Sequence, residues 1–173
     1  EKSEDLVLSI STTSDVTPGT MSASGTIIDE DNPLTTDATD DGDKPTLNLS
    51  ADPAVAIEGE TTGVVFHVTQ SGASEHESTV LFKLDLGELE ADDIQSITYT
   101  DTAGVAHNVT LAEALAGISI SIPAGTAADK MPTVTVVPVD DDVYEESEGF
   151  SASISNPNKA NLGNSTTANG TFQ

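Results

Sequence analysis

From Thr46 onward, apolar and polar residues alternate in short runs. Leu47 and Leu49 share one face of Thr46 to Ser50, and Val64, Phe66 and Val68 alternate next, followed by Val80, Phe82, Leu84 and Leu86. Successive side chains of a strand point to opposite faces, so such runs predict half-buried antiparallel strands. Ser96 to Thr100 and Ala106 to Thr110 flank Asp101-Thr102-Ala103-Gly104, whose composition predicts a hairpin turn. Ile118, Ile120 and Ile122 make a further strand, and Thr133 to Val139, Gly149 to Ser155 and Thr167 to Phe172 complete the set. Helix is predicted only at Thr110 to Leu115, where Thr110 serves as cap and Glu113 stands three residues on. Seven or more short strands with regular turn signals and almost no helix predict an all-β, immunoglobulin-like antiparallel β-sandwich.

Upstream, Leu6 to Ile10 reads as a strand with one apolar face and Ser22 to Ile28 as its partner, joined at Thr17-Pro18-Gly19. A two-stranded ribbon alone is marginal in water. It must pack on the following domain, pair with a neighbouring molecule, or fray. The ribbon is also a near-copy of a later stretch. Glu1-Lys2-Ser3-Glu4-Asp5-Leu6-Val7-Leu8-Ser9-Ile10-Ser11 lines up with Glu145-Glu146-Ser147-Glu148-Gly149-Phe150-Ser151-Ala152-Ser153-Ile154-Ser155. Ser24-Gly25-Thr26-Ile27 matches Asn169-Gly170-Thr171-Phe172 after a one-residue slip. Repetition at this spacing predicts a tandem array of whole domains. The expected organisation is residues 1–29 as the last two strands of a preceding repeat, 30–45 as an acidic linker that calcium would stiffen, and 46–173 as a β-sandwich repeat that stops just short of its end.

Charge changes the picture. The chain carries 30 acids against five lysines and no arginine, a net charge of −25. Nucleic acid and anionic membrane are poor partners for such a surface. Between Asp140 and Glu148 there are six carboxylates in nine residues, on the connection between two strands. Unit charges about 4 Å apart repel by about 4 kcal/mol at a protein surface. Calcium is the natural compensator, a hard cation that takes six to eight oxygens from carboxylates and backbone carbonyls. A solvated acidic turn is the alternative for the run taken alone. In the linker, Asp29-Glu30-Asp31 and Asp40-Asp41-Gly42-Asp43 also suit calcium, because short acids and a permissive glycine let the backbone wrap an ion. Asp29, Asp31, Asp41 and Asp43 are the candidates there, with a solvated spacer as the alternative. Along an immunoglobulin-like path alternate loops share one end, which predicts that Glu58 meets the Asp140 cluster.

The run from Asp140 to Pro157 resembles the signature of Calx-β domains, found in sodium–calcium exchangers, integrin β4 and many bacterial surface proteins. Ala56-Ile57-Glu58-Gly59-Glu60, Ile122-Pro123-Ala124-Gly125-Thr126 and Gly25-Thr26-Ile27-Ile28-Asp29-Glu30-Asp31 resemble its other landmarks. The stretch from Ser96 to Leu115 is extra by that pattern, and is similar to the longer repeats of large bacterial adhesins of the RTX (repeats-in-toxin) type. The resemblance implies calcium as the bound cation. It places Glu58, Asp140, Asp141, Glu145 and Glu148 on side-chain ligands and Val143 on a backbone-carbonyl ligand; Asp142, within the same acidic run, is a further candidate. Asp29 and Asp31 fall on ligands belonging to the preceding repeat. Gln173 precedes the second repeat's own counterpart of that segment, so its ligand shell is expected to lack a part. The family's middle-loop acid has no clear match; Asp92, Asp93 and Asp101 are candidates of equal standing.

Nothing in the sequence reads as catalytic, and no enzyme is expected. His67, His76 and His107 share no ligand spacing, and no Gly-x-Ser-x-Gly elbow is present. Without cysteine there are neither disulfides nor thiolate metal sites. No apolar run reaches membrane-spanning length, so no direct insertion is expected. The resulting expectation is an extracellular, calcium-binding extender repeat of an adhesin on the bacterial cell surface, acting in cell adhesion or biofilm formation. Its partners would be neighbouring repeats of the same protein, and the isolated fragment would be monomeric. A calcium-sensing regulatory domain and a calcium-dependent carbohydrate-binding module are the alternatives.

Overall fold

The computed structural model describes residues 4–9, 22–27, 44–60, 62–74, 76–141 and 146–173. The chain divides into two units, Glu1–Asp43 and Lys44–Gln173. In the first, β1 (Glu4–Ser9) pairs antiparallel with β2 (Ser22–Ile27), Leu6 opposite Gly25 and Leu8 opposite Ala23.

The second unit is a β-sandwich. Its elements are β3 (Thr46–Ala51), β4 (Val55–Ala56), β5 (Val64–Gln70), β6 (Ser78–Asp85), β7 (Ile94–Thr100), β8 (Ala106–Val109), α1 (Leu111–Ala116), β9 (Ile118–Ile122), β10 (Thr133–Pro138), β11 (Glu148–Asn158), β12 (Asn161–Leu162) and β13 (Thr167–Phe172). One sheet runs β12-β3-β5-β10-β7-β8 and the other β4-β13-β11-β6-β9. All neighbours are antiparallel except two short pairs at the sheet edges, β12 with β3 and β13 with β4. The fold is therefore all-β and sandwich-like, as the alternation predicts. The strands β4 and β12 escape a sequence reading because two residues show no alternation.

Period-2 burial builds the core. Val64, Phe66 and Val68 on β5 and Val134 and Val136 on β10 point inward from one sheet. Val80, Phe82 and Leu84 on β6, Ile120 and Ile122 on β9, and Phe150, Ala152 and Ile154 on β11 meet them from the other. Phe66 packs edge-on against Phe82 and Phe150, with ring centroids 5.8 and 5.9 Å apart, and Phe150 against Phe172 at 4.9 Å. Burying each such side chain contributes about 1.5–3 kcal/mol. Ser151 and Ser153 alternate outward as the pattern demands, yet both are half-buried. Their strand is central, between β13 and β6, and neighbouring side chains shade its outer face. His67, on the outer face of β5, sets Nε2 2.9 Å from the carbonyl oxygen of Asp52.

Helix α1 crosses from the edge strand of one sheet to the edge strand of the other. Its capping box is complete: the Thr110 hydroxyl accepts from the Glu113 N–H at 3.3 Å, and Glu113 Oε2 accepts from the Thr110 N–H at 2.9 Å. Ala114 is its one buried residue, and Gly117 ends it at φ +113°.

Candidate metal centre

Several connections gather at one end of the sandwich. The parallel pairing of β4 with β13 carries the chain to Glu58, whose N–H donates to the Gln173 carbonyl at 2.9 Å. Gly59 follows with φ +76°, and a Cβ there would stand 3.3 Å from Asp140 Oδ1. Strand β10 delivers Asp140: the Val139 N–H donates to the Asp93 carbonyl at 2.8 Å, tying the segment before β7 to the same end. The Glu88 N–H donates to the Gly149 carbonyl at 3.0 Å, and Asp93 Oδ2 accepts from the Glu90 N–H at 2.7 Å. Glu88, Glu90, Asp93, Asp140 and Glu148 thus belong to one strongly negative end.

Within it Glu148 stands apart by its position. It occupies an inward position of β11 by the same alternation that buries Phe150 and Ala152. Its residue is partly exposed, but Oε2 is shut off from solvent and has no hydrogen-bond donor among the described residues. Burial pushes its carboxyl above the ordinary glutamate range. The nearby charge of Asp93, a side-chain hydrogen bond with Asp93 and the charge of Glu90 push it the same way, against a pull from the Glu90 N–H. Such an atom is stabilised by acquiring either a proton or a cation.

The structure brings Glu58, through its neighbour Gly59, to Asp140, and it places Glu148 at the same end beside Asp93. Asp141 is exposed and adjoins Asp140. Asp142, Val143 and Glu145 lie outside the described residues, as do Asp29, Asp31, Asp41 and Asp43 with the whole linker from 30 to 43. Among the described residues, no three His, Asp or Glu side chains converge closely enough to hold a metal.

The three middle-loop acids separate clearly. Asp93 precedes β7 at the acidic end, with Asp92 next to it. Asp101 follows β7 at the other end, about 25 Å away along the strand. There it organises the β7–β8 turn: Oδ1 accepts from the N–H groups of Ala103 and Val105, both at 2.9 Å, and Oδ2 lies 2.9 Å from His107 Nε2. The His107 bond, the leading cause, and those N–H groups hold its carboxyl below the usual range. Glu88 and Glu90 went unremarked in the sequence. The alternation carries no sign of which end of β10 their loop reaches, although the even-numbered inward positions of β11 do point to Glu148.

A shallow cleft of about 380 Å³ also lies at the Asp101 end, lined by Tyr99, Asp101, Thr102, Ser119, Ser121 and Pro123 among others. The Tyr99 ring stacks on His107, centroids 5.6 Å apart at 25°, so that face of the tyrosine is taken.

Fold and acidic end together define an all-β sandwich of the immunoglobulin-like class with anionic connections at one end. No family model matches the chain, and no curated protein matches it. Among solved structures it is similar to the apo-form Calx CBD1 domain, with 18% identity and a TM-score of 0.48 over 73% of this chain and 96% of that one. It is also similar to CBD12 from CALX1.2, with 19% identity and a TM-score of 0.48 over 72% of this chain and 44% of that one. The chain thus spans less than half of the latter. A weaker likeness, 16% identity and a TM-score of 0.35 over 75% of this chain and 88% of that one, is to AvmM, described as catalysing macrocyclization in alchivemycin A biosynthesis.

Proposed function

We propose that this chain is a calcium-binding extender repeat of a secreted bacterial adhesin, in which calcium at the acidic end stiffens the junction between successive sandwiches. The observation that carries the reading is the buried Oε2 of Glu148 beside Asp93, without a donor among the described residues, at the end where Gly59 meets Asp140. The donor set is all oxygen, as calcium requires. Glu58, Asp93, Asp140 and Glu148 would have to draw together around the ion, because no three of the described acids already converge on one point; Asp142, Val143 and Glu145 would complete its shell. Bound there, calcium supplies the positive charge that offsets the mutual repulsion of these carboxylates. The chain's part is to carry them on the segments that adjoin β4, β7, β10 and β11 at one end of the sandwich. The output is reach and rigidity, with no substrate turned over.

Extracellular calcium modules commonly bind at about 10⁻⁴–10⁻³ M, and a ligand at a hundredfold excess over its dissociation constant stabilises the folded state by about 2.7 kcal/mol. Millimolar calcium is therefore expected to raise the melting temperature, and chelation to lower it. Small-angle scattering from a protein of two complete repeats tests the stiffening: calcium should lengthen it and narrow its distribution of sizes. Identical scattering with calcium and with chelator would reject the extender mechanism. Loss of calorimetric calcium binding in the Asp140→Asn, Asp141→Asn double variant tests the site itself.

A further inference from the structure

The ribbon β1–β2 leaves Leu6 and Leu8 exposed at 61% and 66%. In an antiparallel pair, residues directly opposite share a face. Leu6, Leu8, Ala23 and Gly25 therefore form one apolar face, while Asp5, Ser9, Ser22 and Ser24 share the other with Val7. The pairing of β11 with β13 has the same register position for position. Glu4 opposite Ile27, Leu6 opposite Gly25 and Leu8 opposite Ala23 correspond to Glu148 opposite Phe172, Phe150 opposite Gly170 and Ala152 opposite Ala168. In the sandwich that face is core: Phe150 is 3% and Ala152 0% exposed.

Gly25 supplies a second observation. Glycine inside a strand weakens it and marks a close approach. At Gly170 the reason is visible, because a Cβ there would stand 2.7 Å from Phe150 Cζ and 2.9 Å from Val64 Cγ1 on the facing sheet. At Gly25 a Cβ would meet nothing among the described residues within 4 Å. The ribbon therefore keeps the glycine that a covering sheet would require.

We infer that the Leu6–Leu8 face is a docking surface for the front strands of another sandwich of this kind. The partner is a polypeptide resembling residues 44–144, presenting the counterparts of Val64 and Phe66 from one sheet and an antiparallel strand like β6 along the unpaired edge of β1. In the sandwich β11 is flanked in this way, with β13 on one side and β6 on the other. A second copy of the present chain does not fit, since its β6 is already paired to its own β11. The inference rests on the tandem arrangement in the reading above but not on calcium.

The test places an additional copy of residues 44–144 directly before Glu1 and follows the thiol of a Leu8→Cys variant, in a chain with no other cysteine. Labelling by a soluble thiol reagent should slow by roughly a hundredfold on fusion, because the thiol then reacts only when the structure opens locally. The same fusion carrying Val7→Cys instead, on the opposite face, should slow far less, because its counterpart Ser151 is only half-buried in the sandwich. Amide hydrogen exchange at Leu6 to Leu8 in the unsubstituted fusion reads the same burial without a cysteine. Equal labelling and exchange rates with and without the added strands, in calcium and in chelator alike, would overturn the inference. So would protection of the parent chain's Leu8→Cys thiol that grows with concentration, which would mean that the face pairs with its own copy. Failure of calcium to change scattering would leave this result untouched, so the two readings fail separately.

Discussion

Asp140 Oδ1 lies 3.3 Å from where a Cβ on Gly59 would stand, so two loops far apart in sequence share one corner of the sandwich. Gly59 holds φ +76°, a left-handed conformation that costs other L-residues about 1–2 kcal/mol. Gly59→Ala should therefore destabilise by about that amount, and the new methyl group should displace the Asp140 carboxylate. The expected outcome is a lower melting temperature together with weaker calcium binding in calorimetry. A variant that melts lower but binds calcium as tightly as the parent would separate Asp140 from the ion.

Glu148 gives a prediction in pH. Its folded-state carboxyl titrates above the ordinary glutamate value, owing first to burial. Its contribution to stability is thus fully present below the unfolded-state value and is lost as pH rises through the raised folded-state value. In chelator at neutral pH, Glu148→Gln should melt higher than the parent, and that advantage should vanish under acidic conditions. Added calcium should raise the parent's melting temperature more than the variant's. If the variant melts lower than the parent in neutral chelator, Glu148 is not the strained group described above.

Core and site are separable at the next inward position of the same strand. Phe150 is 3% exposed and wedged between Phe66 and Phe172. Phe150→Ala should cost about 3–5 kcal/mol through the cavity left behind. Gly170→Ala should cost about 1–3 kcal/mol by overpacking against the Phe150 ring. The two changes are opposite in sense, and a Phe150→Ala, Gly170→Ala double variant should lose less than the sum. Chemical denaturation of the four proteins checks this, and strict additivity would mean that the two residues do not share the space.

At the far end, the Asp101 carboxyl is held low, chiefly by His107. The stability it confers is present above its unfolded-state value and is lost as pH falls through the lowered folded-state value. In His107→Ala the Asp101 carboxyl should titrate closer to the ordinary aspartate value, while the Ala103 and Val105 N–H groups still hold it partly down. A carboxyl-resolved NMR titration measures this; an unchanged Asp101 value would sink the pairing.

Much of this architecture was already legible in the sequence, because strand alternation and helix capping are local. The period-2 runs determined which side chains of β5, β6, β10 and β11 face inward, and Thr110 with Glu113 determined where α1 begins. The even-numbered inward positions of β11 even place Glu148 among core residues. Which loops meet was decided only in three dimensions. Asp93 and Asp101 look alike in a string of letters, yet β7 pairs antiparallel with β10 in a register that sends Asp93 toward Asp140 and Asp101 to the opposite end. The edge strands β4 and β12 exist only through parallel neighbours distant in sequence. Alternation specifies a face and never a partner; strand pairing is set by long-range hydrogen bonds and shared core volume, to which no short stretch of sequence has access.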